Sequence, residues 1–400
     1  MFLSKASLFL FPVKRSLKNR LFYVHNSIIY PKRTFSTTMT VMAQDEKERV
    51  CIIGSGNWGS AVGKIIGENV LKYPALFEPE VKQWVFEEMY KGEKLTDVIN
   101  REKENPKYLP GIKFTSNNIT AVPDLIEATK GATILVFVLP HQFVRGVCNA
   151  LKKSEKTAHP SAKAKKDIKA ISLIKGLDIK PEGVTLFSEE IARHLGLKNV
   201  AALSGANIAD EVALERFCET TIGCQSEENG QLFFKLFNTH YFHVNVIKDH
   251  VGVELCGALK NVVAVGTGIS DGLGYGSNTK AAIIRLGLME MRKFGQTFFG
   301  SAVEDTTFFE SCGVADLITT CSGGRNRRVA EAFAKTGKPI DELEKELLNG
   351  QKLQGTLTAH EVHQFLSARG KTQDFPLFET VYRIIYERAP LESIVRNITL

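Results

Sequence analysis

The stretch Val50-Cys51-Ile52-Ile53-Gly54-Ser55-Gly56-Asn57-Trp58-Gly59-Ser60 constrains this chain most. Three glycines at G-x-G-x-x-G spacing follow a four-residue apolar run. They precede "NWGSAVGKIIGENV" (57–70), whose apolar residues recur at helical spacing. A glycine pattern alone is an ordinary turn as readily as a nucleotide cradle. Placed between a strand and a helix, it has the context of a dinucleotide fingerprint. In that reading Gly54 permits a tight turn, Gly56 admits a pyrophosphate, and Gly59 lets the helix pack close. Ser55, Asn57 and Trp58 lie within the same loop, and the helix N-terminus supplies N–H groups for an anion.

Strand-like and helical segments alternate from there to residue 247. "VKQWVF" (81–86), "TILVFVL" (133–139), "IKAISLI" (168–174), "VAALSG" (200–205) and "YFHVNVI" (241–247) read as strands. "PDLIEATK" (123–130) and "VTLFSEEIARHL" (184–195) read as helices. Such alternation implies a parallel, doubly wound sheet. Beyond 247 nearly every segment has helical period. The expected plan is an α/β domain over 48–246 and an all-α domain over 247–400.

Charge separates the leader from this body. Residues 1–44 hold seven Lys and Arg and no acid; the remaining 44 Lys and Arg balance 44 Asp and Glu. The body is formally neutral, so the basic balance does not point to nucleic acid. The leader is rich in Ser, Lys and Arg and has no apolar run near the ~20 residues of a membrane span. It reads as a mitochondrial transit peptide or a basic tail. A start at Met39 or Met42 would give a cytoplasmic protein. Seven cysteines without a C-x-x-C pair suggest reduced, buried thiols and no zinc site. The Lys-rich stretch 151–169 is a solvated insertion or an anionic-surface contact.

Several segments carry chemistry. "CGALKN" (256–261) puts Lys260 and Asn261 in an apolar helix, where a lysine is paired and functional or snorkels to the surface. "CGVADLITTCSGGRN" (312–326) places Asp316 among apolar residues. Its Arg325 and Asn326 open a helix, as an anion site or a capped turn. Lys175 of "SLIKG" and Ala209 of "SGANIA" stand just past strand ends, where open α/β sheets bind ligands. His141 of "LPHQF" is a ligand contact or a loop residue. Glu87 or Glu88 after "WVF" could meet an adenosine ribose and disfavour a 2′-phosphate.

Together, "IIGSGNWGSA", "WVFEE", "PHQF", "LIKG", "SGANIA", "CGALKNVVAVGTG", "CGVADLITTC.GGRN" and "KELLNGQKLQG" resemble NAD-dependent glycerol-3-phosphate dehydrogenases of the eukaryotic type. The resemblance implies a Rossmann-type domain plus a helical domain, NAD as cofactor, and a homodimer. It implies reversible hydride transfer between NADH and dihydroxyacetone phosphate, giving sn-glycerol 3-phosphate. Lys260 would be the proton-transfer residue, with Lys175 and Asp316 beside it. Asn261, Thr320, Arg325 and Asn326 would line the substrate site with Lys175. The glycine loop, Phe86, Phe143, Lys175, Ala209, Arg325, Lys352 and Gln354 would meet the cofactor, the last two on a closing loop. Ser322 and the long Lys-rich insertion depart from the family pattern without touching these residues. A related dehydrogenase of another substrate, or a non-enzymatic NAD-binding regulator, would not be expected to keep the lysine helix and "GGRN" together.

Overall fold

The computed structural model describes residues 47–157, 168–348 and 352–396. The leader, Met39, Met42, most of the Lys-rich insertion and residues 349–351 lie outside the described residues. In chain order the strands are β1 (Glu48–Ile53), β2 (Phe77–Trp84), β3 (Met89–Tyr90), β4 (Glu93–Lys94), β5 (Ile119–Val122) and β6 (Ile134–Phe137). They continue with β7 (Lys169–Ser172), β8 (Asp178–Lys180), β9 (Gly183–Thr185), β10 (Val200–Ser204), β11 (Cys218–Gly223) and β12 (Phe242–Ile247).

Eight of them form one sheet in the order β12-β11-β10-β7-β6-β1-β2-β5. Val50 pairs with Ile134 and Ile53 with Phe137, both parallel. Along β1, Val50 and Ile52 join the apolar core on one face, while Cys51 and Ile53 join the core on the other. A strand covered on both faces must be apolar throughout, which is why "VCII" shows no alternation. The direction of strand succession reverses between β1 and β6, and a ligand crevice opens at such a switch point.

Two expectations change. The sheet is not wholly parallel, because β11 runs antiparallel to β10. The connection 205–217 holds only a five-residue helix, Ala209–Ala213, and turns back instead of crossing over. The helix expected over 184–195 is shorter. Val184 pairs with Ile179 in a β8–β9 hairpin, where β-branched residues are favoured, and the helix begins at Phe187.

The long helix His250–Gly272 runs through a further apolar core that it shares with the other C-terminal helices, with Val251–Ser270 all buried. It is long and apolar enough to span a membrane by composition, but here its apolar stretch is wholly buried inside the protein. Asp249 caps it, accepting from Gly252 N at 2.6 Å, and also accepts from Glu304 N and Thr307 Oγ1. The helix Arg325–Thr336 lies against it so closely that a Cβ at Gly268 would strike the Arg327 carbonyl. That contact brings the "GGRN" turn alongside Lys260's helix.

Candidate active site

Lys260 and Asp316 are both 3% exposed. Lys260 projects from the long helix, and Asp316 opens the helix Asp316–Gly323 after a π-helical turn, Ser311–Ala315. The Lys260 ammonium pairs with Asp316 Oδ1, and Lys175 Nζ reaches Asp316 Oδ2 at 3.0 Å. Lys175 follows β7 and also donates to Gly205 O, just past β10, at 3.1 Å. Two lysines from different layers thus share one carboxylate at the C-terminal ends of sheet strands. Thr320 is held one turn along, its hydroxyl donating to Asp316 O at 2.6 Å.

Burial alone would strip charge from Lys260 and Asp316. For Lys260 it is the largest influence; Asp316 opposes it and the Lys175 ammonium reinforces it, leaving a pKa of about 8. Burial also acts to raise the Asp316 pKa, but the two ammonium groups outweigh it and the carboxyl lies below its ordinary value. The result is a protonated lysine held at the edge of neutrality beside a firmly ionised aspartate. Such a lysine is suited to exchange a proton near physiological pH.

Asn326 connects this helix to the next. Its Nδ2 donates to Asn261 Oδ1 at 2.9 Å, and its Oδ1 accepts from Gly355 N at 2.9 Å. Gly355 follows Gln354, the first residue of the helix Gln354–Ser367. Both ends of the Asn326 amide are therefore engaged, and its backbone N–H remains among the helix's first-turn donors. Arg325 is exposed at the same turn. The first turn carries Arg325, Arg327 and Arg328 and no acid, the opposite of what a helix N-terminus favours, although Arg327 is paired with Asp271 and Glu331. An anion at this turn would relieve that field. Lys352 points elsewhere: its Nζ bonds Glu344 Oε2 at 2.7 Å, with the side chain 73% exposed.

The glycine loop stands at the sheet's switch point. Gly54 has φ 124°, and a Cβ there would run into the Val138 carbonyl, so the turn between β1 and the helix Asn57–Lys72 needs glycine. A Cβ on Gly56 would meet nothing within 4 Å. Ser55 is half-buried. Gly59 is buried at the first helical turn, as close packing requires. Asn57 is engaged by Tyr108 O at 3.0 Å and Asp210 Oδ1 at 2.8 Å, and the Trp58 ring lies 6.2 Å from that of Phe242. Phe86 and Phe143 are 70% and 55% exposed just past the ends of β2 and β6. Ala209 is half-buried at the start of its short helix. An open glycine turn, a helix N-terminus and two bare aromatic rings fit a dinucleotide.

Both acids considered for the ribose are already bonded. Glu87 accepts from Thr96 Oγ1 at 2.7 Å, and Glu88 accepts from Tyr108 Oη at 2.6 Å and pairs with Lys107. His141 is partly buried against Phe187, with ring centroids 5.7 Å apart, and burial lowers its pKa. Two residues close to the loop carry no motif. Gln83 and Asn105 are buried beneath it; the one signal was a glutamine inside the apolar strand "VKQWV".

Comparison with known proteins bears on the whole of this arrangement. A family model described as NAD-dependent glycerol-3-phosphate dehydrogenase N-terminus matches residues 49–230, and the corresponding C-terminus model matches 249–396. The chain belongs to the NAD-dependent glycerol-3-phosphate dehydrogenase family. It is an NAD-dependent oxidoreductase with a Rossmann-type sheet and a helical C-terminal region. Among curated relatives, the cytoplasmic NAD(+) glycerol-3-phosphate dehydrogenase of Homo sapiens is 55% identical over 348 residues, 87% of this chain and 96% of that protein. The Pongo abelii protein of the same name is 55% identical over 349 residues, 87% of this chain and 97% of that one. The solved glycerol-3-phosphate dehydrogenase of Saccharomyces cerevisiae superposes with a TM-score of 0.82 at 46% identity, covering 89% of this chain and 100% of that one.

Proposed function

We propose that the enzyme interconverts dihydroxyacetone phosphate and sn-glycerol 3-phosphate, with Lys260 passing the proton. The observation that carries this reading is the buried Lys260 and the half-buried Lys175 sharing Asp316. NADH, when bound, supplies the hydride for the C2 carbonyl. The substrate phosphate would sit at the Arg325–Thr336 helix N-terminus, held by Arg325 and the backbone of Asn326. Asn261 and Thr320 would line the space between phosphate and carbonyl. As negative charge grows on O2, Lys260 stabilises it and delivers its proton; in the reverse direction neutral Lys260 takes the hydroxyl proton. Lys175 adds positive field, and Asp316 fixes both ammonium groups. The glycine loop from Gly54 to Gly59 would carry the pyrophosphate, with Phe86, Phe143 and Ala209 along the cofactor. Lys352 and Gln354 would join it only after Lys352 leaves Glu344.

On this reading 48–246 is the cofactor domain and 247–400 the substrate domain, and the active enzyme is a homodimer. The name of the cytoplasmic relatives supports a cytoplasmic enzyme, and the acid-free leader supports a mitochondrial form; N-terminal sequencing of native protein from each fraction separates them. Lys260→Ala tests the chemistry. Turnover should fall by about 10²–10⁴-fold, while NADH titrated by fluorescence still binds. Undiminished turnover would remove Lys260 from the proton path.

A further inference from the structure

Beneath the glycine loop lie two buried amides that do not belong to its motif. Gln83 of β2 donates from Nε2 to Gly54 O at 2.8 Å and to Gly59 O at 3.1 Å. Asn105 donates from Nδ2 to Ser55 O at 2.8 Å and to Ser60 Oγ at 2.9 Å, and its Oδ1 accepts from Tyr108 N at 3.3 Å. Each is 1% exposed. Two consecutive carbonyls of the loop, those of Gly54 and Ser55, are thereby drawn into the protein.

The peptide group is planar and trans, so its C=O and the following N–H point in opposite directions. Drawing the Gly54 carbonyl inward turns the Ser55 N–H outward. Drawing the Ser55 carbonyl inward does the same for the Gly56 N–H. A backbone anion site needs this polarity, because a single carbonyl turned towards the anion cancels a donor and adds repulsion. Glycines at 54 and 56 widen the backbone angles open to both planes, and the help from within the motif is slight: Ser60 Oγ reaches Ser55 O at 3.3 Å.

We propose that Gln83 and Asn105 are positioning residues for the cofactor: they lock the 54–55 and 55–56 peptide planes so that consecutive N–H groups face its pyrophosphate. Neither side chain touches the cofactor. The proposal rests on the glycine loop being the pyrophosphate cradle.

The test uses the full-length protein and binding rather than turnover. Gln83→Met keeps the side chain's bulk and removes its donor. NADH affinity is read by fluorescence titration. ADP-ribose, which contains the pyrophosphate, and adenosine, which lacks it, are compared as competitors. ADP-ribose and NADH should weaken by about 10- to 100-fold, as expected for two buried carbonyls released from their donor. Adenosine should change by less than about twofold. The KM for NADH should rise with kcat at saturating NADH retained. Asn105→Ala should give the same split and serves if Gln83→Met does not fold. Unchanged NADH affinity, or adenosine weakened in step with ADP-ribose, overturns the proposal. Gly56→Asp separates the two levels. If it abolishes NADH binding while Gln83→Met does not, the cradle stands and the positioning role fails. If it leaves binding intact, the cradle assignment fails and the proposal with it.

Discussion

The three-group cluster makes an unusual prediction, that two single substitutions move one pH limb in opposite directions. Lys260 sits at about 8 because burial and the Lys175 ammonium lower it while Asp316 raises it. Under the proposed role of Lys260, ketone reduction needs its protonated form, so kcat/KM for dihydroxyacetone phosphate should fall as pH rises through about 8. Glycerol 3-phosphate oxidation would then need the neutral amine and should rise through the same midpoint. Lys175→Met removes the like charge and should carry the midpoint upward. Asp316→Asn removes the counter-ion and should carry it downward. Lys175 and Lys260 flank one carboxylate, and two unit charges about 5 Å apart repel by about 3 kcal/mol at an effective dielectric near 20. Lys175 is about one-third exposed, with 32% of its side chain accessible, so solvent screens the field. An upward move of about one pH unit, or about 1.4 kcal/mol, is the reasonable expectation. Asp316 is buried and leaves Lys260 buried without a counter-ion when removed, so its loss should act more strongly and also cost about 3–5 kcal/mol of stability. The assay is NADH absorbance with each substrate, at pH values bracketing 8, on variants whose melting is followed in parallel. Midpoints moving the same way, or not at all, would refute the reasoning that one carboxylate and one neighbouring lysine tune Lys260.

Other consequences follow from single contacts. Arg325→Ala should raise the KM for dihydroxyacetone phosphate by about 10²-fold, with NADH affinity changed far less, because a charge-assisted phosphate contact of about 1.5–3 kcal/mol is lost. An unchanged KM would place the phosphate elsewhere. Gly268→Val drives a side chain into the Arg327 carbonyl and should lower stability by about 3 kcal/mol or more, with dihydroxyacetone phosphate affinity lost before NADH affinity. Thermal unfolding and both titrations check it. Glu254, buried on the Lys260 helix, accepts from Phe187 N and Ser188 N, and burial raises its pKa from 4.5 to about 7. A carboxyl with a raised native pKa holds its proton more tightly when folded, so its contribution is greatest below pH 4.5 and is lost as pH rises towards 7. Between those limits the wild type should lose about 3 kcal/mol relative to Glu254→Gln; parallel denaturation curves across that range would refute this.

Much of the fold is legible where one local force dominates. β1 and β6 are covered on both faces, so their sequences are unbroken apolar runs that no other element explains. The long helix is apolar on every side over more than five turns, as a helix buried all round must be. β11 escaped reading because "CETTIG" has two threonines and a glutamate; its Thr220 and Thr221 are nonetheless fully buried. Their hydroxyls are satisfied by Ser204 O and Cys312 N, partners supplied by tertiary contact. The edge strand β5 is only four residues, "ITAV", too short for its alternation to stand out from a loop.

The site divides along the same line. A lysine among Leu255, Leu259, Val262 and Val263 announces itself, because burying an ammonium without a counter-ion is prohibitive. That cost is also why Asp316 had to exist somewhere in an apolar setting, and "GVADLI" offers one. What no local pattern conveys is that Lys175, 85 residues upstream of Lys260, shares the same carboxylate from the opposite oxygen. The lysine motif alone reads as half of an ion pair; the family resemblance sets Lys175 and Asp316 beside it, and the fold puts both lysines on one carboxylate, a triad that together sets the proton affinity. Gln83 and Asn105 stand further still from legibility. Their amides act on carbonyls, which every residue possesses, so the sequence marks neither the partner nor the direction in which it is held. A site built on backbone polarity is therefore announced by its glycines, while the side chains that fix that polarity stay silent until the chain is folded.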